Sequence, residues 1–330
     1  MRKPAPKPTP QRGAALLAAM LTVTLVATFA ASAMWQQWRA VEVETAERGR
    51  VQSAWILIGA LDWSRLILRE DGRAGGADHL AEPWAVPLQE ARLSTFLAAD
   101  RNVSQVDDAS TDTTEAFLSG QITDMQGRLN ITNLVQGGQV QPVALQQFNR
   151  LFERLSLPSQ QLAGLVESLR QTQATAGGDG SAAPLMPARV SQLVWLGLPQ
   201  ATVDALAPHV SLLPSATPVN LNTAGIDVLL AAIEGLDVAS AQRIVQIRES
   251  RHFRSIADMR EQLGTSMKLD DSAHTVASAY FEVRGRLRLG DVMVDERSLV
   301  HRVGMDVTTV WRERGAFDRP APGAAAALPR

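Results

Sequence analysis

The chain has 330 residues, enough for two domains in addition to a membrane segment. Its formal net charge of −2 provides no global field that would attract nucleic acid or an anionic surface. The sequence contains no cysteine, which excludes disulfides, thiolate metal sites and cysteine nucleophiles, although it does not exclude an oxidising compartment.

An uncharged, apolar stretch runs from Ala14 to Met34. Its 21 residues would form about 31 Å of helix, close to the hydrocarbon thickness of a bilayer. Trp35 and Trp38 follow at once, where an aromatic belt lies at a membrane surface. Basic residues before the stretch predict that the short tail stays cytoplasmic and the remaining chain crosses the membrane. These basic residues are Arg2, Lys3, Lys7 and Arg12.

Three interpretations of this segment compete. The first is a secretory signal peptide cut after the small residues 31–33, although its apolar core would exceed the usual length of about 7–15 residues. The second is an uncleaved single-pass anchor. The third is a type IV prepilin leader cut between Gly13 and Ala14, because a basic leader ending in Arg-Gly directly precedes the apolar run. The segment alone leaves these alternatives open.

The helical pattern continues beyond the apolar stretch. A spacing of three or four residues, which places side chains on one face of a helix, connects Val51, Trp55, Ile58, Asp62 and Leu66. This spacing predicts one helix over residues 14–68, with a break near Gly49 as the alternative. Gly72, Gly75 and Gly76 are expected to end the helix.

Residues 100–115 are acidic and polar, which is typical of a surface loop. The next stretch predicts a β-hairpin, because residues 121–124 and 128–131 alternate between apolar and polar side chains. Gly127 lies in the expected turn, where it could take a positive φ.

Helical periodicity dominates the middle of the chain, which predicts helices over residues 144–170, 190–209 and 238–249. A further helix ending at Ile233 is expected to be capped by Asn222 or Thr223. Strand-like alternation returns at the C-terminal end, over residues 280–289, 298–303 and 307–312. This order predicts an α+β fold in which an antiparallel sheet packs on the long helix and a helical domain is inserted between its strands.

Catalytic and metal-binding motifs are missing from the sequence, including HExxH, GxSxG, GxGxxG and the Gly-Lys-Ser/Thr loop. The five histidines are scattered without an i, i+4 pair. The sequence therefore predicts no enzyme.

Residues 229–245 resemble a helix-hairpin-helix motif, which in DNA-binding proteins places backbone N–H groups against a phosphate. Here Asp237 replaces the second glycine of the hairpin, and its carboxylate would repel a phosphate. Residues 224–264 carry five arginines against six acidic residues, a net charge of −1. We therefore expect this segment to serve packing or protein contacts more than DNA binding.

Five stretches together resemble the minor pseudopilin K of the bacterial type II secretion system, the general secretion pathway protein K family. The resemblance covers nearly the whole chain, which makes it more specific than any single motif. The matching stretches are Gly13–Ala14, Glu82–Ala85, Ile122–Asn130, Thr217–Ala224 and the strand from Tyr280.

This resemblance implies a pseudopilin fold with a large inserted all-α domain that contains a helix-hairpin-helix or SAM-like segment. Together with the residue patterns, it divides the chain into distinct segments. These are a prepilin leader (1–13), a transmembrane and amphipathic helix (14–68), a pseudopilin αβ domain (69–136 and 278–318), the inserted α-domain (137–277) and a disordered tail (319–330).

The resemblance further implies that prepilin peptidase cleaves after Gly13 and that Ala14 becomes N-methylated. Most pilin-like helices carry glutamate at the fifth mature position, where it pairs with a neighbouring subunit. Ala18 occupies that position here. A subunit at the tip of a filament has no neighbour above it, and an unpaired glutamate deep in the bilayer costs several kcal/mol. The alanine therefore fits placement at the tip.

Members of this family hold calcium in the globular part. Asp107, Asp108, Asp112 and Glu115 could supply the hard oxygen ligands of such a site, although a solvated acidic loop is the simpler interpretation. No other cofactor is expected.

The favoured function is a structural tip subunit of the type II secretion pseudopilus, needed for protein export across the outer membrane. The expected partners are minor pseudopilins I and J, other pseudopilins and prepilin peptidase, and no nucleic acid. The expected location is the inner membrane, with one span and a periplasmic globular part. The alternatives are a membrane-anchored helix-hairpin-helix protein that binds DNA and an anchored periplasmic enzyme of unrecognised type.

Overall fold

The computed structural model describes residues 12–93, 116–175, 185–263, 268–290 and 292–315. The chain divides into two compact units, Met1–Ile56 and Leu57–Arg330. The first helix, α1 (Arg12–Ala74), has 63 residues and belongs to both units.

In the first unit, α1 is long and apolar enough to span a membrane, with a mean hydropathy of 2.2 in its most apolar window. Its threonine hydroxyls donate to backbone carbonyls one turn earlier, as in the bond from Thr22 to Ala19 at 2.8 Å. Such bonds leave little polar surface toward lipid. The helix runs through Gly49 without the alternative break, and it continues to Ala74, past the predicted end at residue 68.

A five-stranded antiparallel sheet forms the centre of the second unit, with strand order β1-β2-β9-β10-β11. Two strands precede the helical part of the chain and three follow it. Their bounds are β1 (Leu88–Arg92), β2 (Ala116–Asp124), β9 (Tyr280–Leu289), β10 (Val292–Val303) and β11 (Asp306–Gly315). The three C-terminal strands lie where the alternating pattern predicted them.

The second half of α1 packs on one face of this sheet. Leu61 and Leu68 form a buried cluster with Phe281, Val283 and Val300. Each fully buried side chain of this type contributes about 1.5–3 kcal/mol relative to an exposed one. The two leucines are seven residues apart, as expected for one face of a helix, but the predicted stripe is not the buried one. Val51, Trp55 and Leu66 of that stripe are exposed.

The predicted hairpin at residues 121–131 is wrong. After β2, the short strand β3 (Leu129–Asn130) pairs in parallel with β6 (Val210–Ser211) from the helical part of the chain. Gly127 does not take a positive φ. The chain leaves the sheet here because Asp124 and Gln126 bind the helical part, as described below.

Helices and short strands make up the segment between β2 and β9. The helices are α2 (Pro142–Arg154), α3 (Ser159–Thr175), α4 (Gln200–Leu206), α5 (Ile226–Ala232), α6 (Val238–Ser250) and α7 (Ile256–Leu263). Three-residue to seven-residue 3₁₀ helices occupy Pro83–Ala85, Ile131–Leu134 and Val190–Leu196. The remaining strands are β4 (Val135–Gln136), β5 (Gln139–Val140), β7 (Val219–Asn220) and β8 (His274–Thr275).

Several details of this segment differ from the expectations. It is not entirely helical, since β7 pairs in parallel with β8. The helix predicted over residues 144–170 is two helices, because Pro158 follows Ser156, which takes a φ of +55°. One continuous core still unites the segment, built around buried side chains such as Phe148, Leu193 and Phe253.

The helix α1 comes close to the sheet at Gly72. A Cβ at this position would lie 2.4 Å from the backbone oxygen of Gly304, in the turn between β10 and β11. Only glycine lets the helix and the turn come this close. The turn itself needs Gly304, whose φ is +60°.

We predict that Gly72→Ala destabilises the full chain by about 1–3 kcal/mol, because backbone must move away from the added methyl group. Urea unfolding in detergent, followed by tryptophan fluorescence, measures this change. Gly59→Ala is the matched control in the same helix, since no atom lies within 4 Å of its added Cβ. We expect the control to stabilise the chain by up to about 1 kcal/mol, and equal effects at both positions would contradict the prediction.

Candidate functional site: a buried polar joint

The sheet and the helical segment meet at the carboxylate of Asp124, the last residue of β2, which is 5% exposed. Its oxygens accept hydrogen bonds from Thr223 Oγ1 at 2.6 Å, Ser278 Oγ at 2.7 Å, Asn220 Nδ2 at 3.0 Å and the backbone N–H of Gln126 at 2.8 Å. These donors come from three separate parts of the chain. We call Asp124, Asn220, Thr223 and Ser278 the polar joint.

Asn220 is the centre of the polar joint. Besides Asp124, its side-chain amide donates to the backbone oxygen of Asp78 at 3.2 Å and to Ser278 Oγ at 2.9 Å. Its backbone N–H donates to the backbone oxygen of Gln126 at 2.8 Å. One fully buried asparagine therefore ties the helical segment to the sheet and to the chain that follows α1.

Two of the sequence stretches that carried the family resemblance form this contact, residues 122–130 and 217–224. At Gly127 the backbones come so close that an added Cβ would lie 2.7 Å from Thr223 Oγ1. The expected helix cap at Asn222 or Thr223 is wrong. The helix α5 begins after Gly225, and Thr223 donates to the joint instead.

A second buried cluster lies beside the joint, where Arg302 of β10 forms ion pairs with Asp71 of α1 and with Asp78. Its guanidinium also donates to the backbone oxygen of Ser278 at 2.9 Å. Asp78 in turn accepts the backbone N–H of Ser278 at 2.6 Å. Through Arg302, the end of α1 and the sheet are connected to the polar joint.

Burial changes the protonation of these carboxyl groups. It raises the pKa of Asp124, and the four hydrogen bonds to its oxygens offset this only in part. Burial also raises the pKa of Asp78 to about 6, although the charge of Arg302 works in the opposite direction. For Glu82, burial raises the pKa to about 7 against the hydrogen bonds from His79 and Trp84.

Asp71, Asp78 and Glu82 each offer a carboxylate oxygen within 4.8 Å of the others. Among the described residues this is the group that could hold a metal ion, but Arg302 already neutralises two of its members. Next to this group, the ring of His79 stacks on that of His252 with 3.6 Å between centroids, and burial lowers the pKa of His79.

The structure describes only part of the predicted site residues. Asp107, Asp108, Asp112 and Glu115 are outside the described residues. Gly13 and Ala14 lie in the first turn of α1, and Ala14 is exposed. The residues of the polar joint were missed as a site, although the stretches that contain them had been recognised by resemblance.

The helix-hairpin-helix-like segment uses its hairpin for a structural purpose. The turn between α5 and α6 contains Gly235, with a φ of +77°, and the side chain of Asp237 accepts the backbone N–H of Ser240 at 2.7 Å. This carboxylate occupies the helix N-terminus at which a phosphate would bind.

Comparisons with known proteins match both halves of the helical segment. A family model described as "Type II secretion system (T2SS), protein K" matches residues 219–278, and a second model with the same description matches residues 127–215. The type II secretion system protein K of Pseudomonas aeruginosa is 30% identical over 308 residues, which cover 85% of this chain and 86% of that protein. The protein K of Pectobacterium carotovorum subsp. carotovorum is 26% identical over 334 residues, which cover 93% and 97%.

The fold is also similar to that of a solved structure. A chain in the crystal structure of the GspK-GspI-GspJ complex from the enterotoxigenic Escherichia coli type 2 secretion system aligns with a TM-score of 0.63 and 19% identity. The alignment covers 82% of this chain and 99% of that chain. It confirms the predicted α+β fold with a long N-terminal helix, an antiparallel sheet and additional helices.

A long apolar helix that packs its second half on an antiparallel sheet defines a pseudopilin-type structural protein. The chain belongs to the type II secretion system protein K family. The predicted role as a minor pseudopilin in protein secretion is confirmed, and the alternative of a DNA-binding protein has no support.

We predict that Asn220→Ala destabilises the full chain by about 2–4 kcal/mol. The substitution removes one of the four donors to the Asp124 carboxylate, the side-chain donor to the backbone oxygen of Asp78 and the acceptor of the Asn222 backbone N–H, all at a fully buried position. Denaturant unfolding of the purified chain measures the loss. Asn149→Ala, at an exposed position of α2, is the control and is expected to change stability by less than about 0.5 kcal/mol. A similar small effect at position 220 would show that the joint contributes little.

Glu82→Gln tests the electrostatics of the cluster. The folded-state pKa of Glu82 is about 7, above the ordinary 4.5, so folding favours the protonated carboxyl group. The stability that this group contributes to the folded chain is fully present below pH 4.5 and is lost as the pH rises through 7. From pH 4.5 to pH 8, wild type should therefore lose about 1–3 kcal/mol of stability relative to the glutamine variant. Unfolding curves at both pH values measure this difference, and Glu153→Gln, at an exposed position, controls for the removed charge.

Proposed function

We propose that this chain is the tip subunit of the type II secretion pseudopilus, where it assembles with minor pseudopilins I and J and other pseudopilins. The observation that carries the proposal is the similarity, over 82% of this chain, to a chain in the crystal structure of the GspK-GspI-GspJ complex. Ala18 supports it, since the tip subunit has no neighbour above for a glutamate to pair with.

The proposed role is structural, without catalysis. In support of this, the carboxyl groups with raised pKa values are engaged in holding the fold. Glu82 accepts the indole N–H of Trp84 at 2.6 Å, and Asp78 pairs with Arg302. These contacts support a structural role for both carboxyl groups.

The proposed location is the inner membrane, with α1 as a single span and the remaining chain in the periplasm. The apolar character of α1 and the basic residues before it support this orientation. The proposed division into leader, helix, pseudopilin domain, insert and tail stays a prediction, as does calcium binding by Asp107, Asp108, Asp112 and Glu115.

Co-purification tests the assembly. The full chain, expressed with minor pseudopilins I and J of the same system and purified through a tag on J alone, is expected to elute with both. In the control, an unrelated single-pass membrane protein replaces this chain, and the tag stays on J alone. Recovery of I and J without this chain would contradict the proposal.

Leader processing is tested by the intact mass of the purified chain. With prepilin peptidase present, we expect the mass of a chain that begins with N-methylated Ala14. Without the peptidase, the 13-residue leader should remain. A chain that begins at Met34 in both cases would instead identify a secretory signal peptide.

A further inference from the structure

A slot opens between the second half of α1 and the sheet, on the side of β1. It encloses a cavity of about 250 Å³. Apolar side chains form its walls, among them Leu61 and Ile67 from α1, Trp84 from the segment before β1 and Ile122 from β2. Typical small-molecule sites enclose about 300–1,000 Å³. The slot is therefore small for a cofactor, but it is suited to one large side chain.

Two glycines line the sheet side of the slot. Gly120 of β2 lies directly opposite Gly285 of β9, and both belong to the row of sheet positions that faces α1. A Cβ at Gly285 would lie 3.2 Å from Leu57 Cδ2 of the helix. Because opposite residues on neighbouring strands share one face, both glycines line the slot, and the missing side chain at Gly285 lets Leu57 pack close to the sheet.

The floor of the slot is polar. Ser298 of β10 is 1% exposed, and within the described residues its hydroxyl has no hydrogen-bond partner. The neighbouring Glu296 is 4% exposed and pairs with both Arg312 and Arg314 of β11 at 2.6 Å. The carboxylate is thus already neutralised, while the hydroxyl is not satisfied. An occupant should therefore be uncharged and should carry one hydrogen-bonding group at its tip.

The rim of the slot has exposed apolar surface. Val86 is 66% exposed and Trp63 is 36% exposed, and both line the opening. Contacts of this kind surround the buried anchor residues of protein interfaces and exclude water from them. Tyrosine and tryptophan are the side chains that combine a large apolar body with a single polar tip.

We propose that the slot receives a tyrosine or tryptophan side chain from a neighbouring pseudopilin subunit. The ring packs between α1 and the glycine pair, and its O–H or N–H donates to Ser298 Oγ. This inference rests on the proposed assembly with minor pseudopilins I and J, since it names the contact by which one of them binds.

Filling the slot tests the proposal. Ala60 lines it from α1, and Ala60→Phe places a ring of the chain's own in the cavity. We expect this variant, as the full chain in lipid nanodiscs, to bind the I and J subunits at least about 10-fold more weakly in biolayer interferometry. Ala74→Phe, at an exposed position of the same helix, is the control and should stay within about 2-fold of wild type.

Ser298→Ala distinguishes recognition from folding. Removing the unsatisfied hydroxyl should leave the melting temperature unchanged or raise it, whereas binding of I and J should weaken about 5-fold. Unchanged binding for both Ala60→Phe and Ser298→Ala would overturn the slot proposal. Failure of the wild-type chain to bind either subunit would instead overturn the proposed function.

Crosslinking identifies the occupant. Because the chain has no cysteine, Val86→Cys gives one attachment site for a thiol-specific benzophenone at the rim. We expect a crosslink to a tyrosine- or tryptophan-containing peptide of subunit I or J, and loss of that crosslink when Ala60→Phe is added. A crosslink to a second copy, to lipid or to residues 94–115 of the same chain would overturn the proposal.

Discussion

The buried carboxylate of Asp124 is the constraint on which the second unit depends. Desolvation of a carboxyl group costs several kcal/mol unless hydrogen bonds replace the lost water. Asp124 obtains these bonds from Thr223, Ser278, Asn220 and the backbone of Gln126, which lie up to 154 positions away in the sequence. The arrangement is satisfied only when the sheet and both ends of the helical segment are in place together.

This dependence explains why a large helical segment can interrupt a small sheet. Both connections of the segment pass through the polar joint, at residues 124–127 and 275–279. There the backbone N–H of Met125 donates to the backbone oxygen of Tyr280 at 2.9 Å, and that of Ala279 donates to Gln126 Oε1 at 2.7 Å. Arg302 adds the end of α1 to the same network. This network therefore connects the helical segment to the sheet that packs on α1.

The long N-terminal helix and the C-terminal strands could be predicted from the sequence. The membrane-length helix follows from 21 uncharged residues, and the three C-terminal strands follow from alternation at residues 280–289 and beyond. These features were predictable because local composition and the period of alternation determine the type of an element. The face of α1 that packs on the sheet was not predicted, since Val51, Trp55 and Leu66 of the predicted stripe are exposed. The order of these predicted elements also indicated that the helices are inserted between strands of one sheet.

The joint could not be predicted in the same way. The Thr-Asp-Met-Gln-Gly sequence at residues 123–127 has the composition of an exposed turn, and this led to the incorrect hairpin. Asp124 is instead buried by partners that are distant in sequence, and Gly127 is needed for the close approach of Thr223. The composition of a short polar stretch does not distinguish a solvated turn from a buried contact between domains. The cavity beside Gly120 and Gly285 depends in the same way on strand register.

Hydrogen exchange under increasing denaturant, followed by mass spectrometry on the full chain, tests most directly whether the polar joint unites the sheet and the helical segment. The account predicts that amides in β9 and α5 open with the same free energy and the same denaturant dependence, as parts of one cooperative unit. If α5 opened at lower denaturant while β9 stayed protected, the two parts would be independently stable, and the joint would not have the role assigned to it.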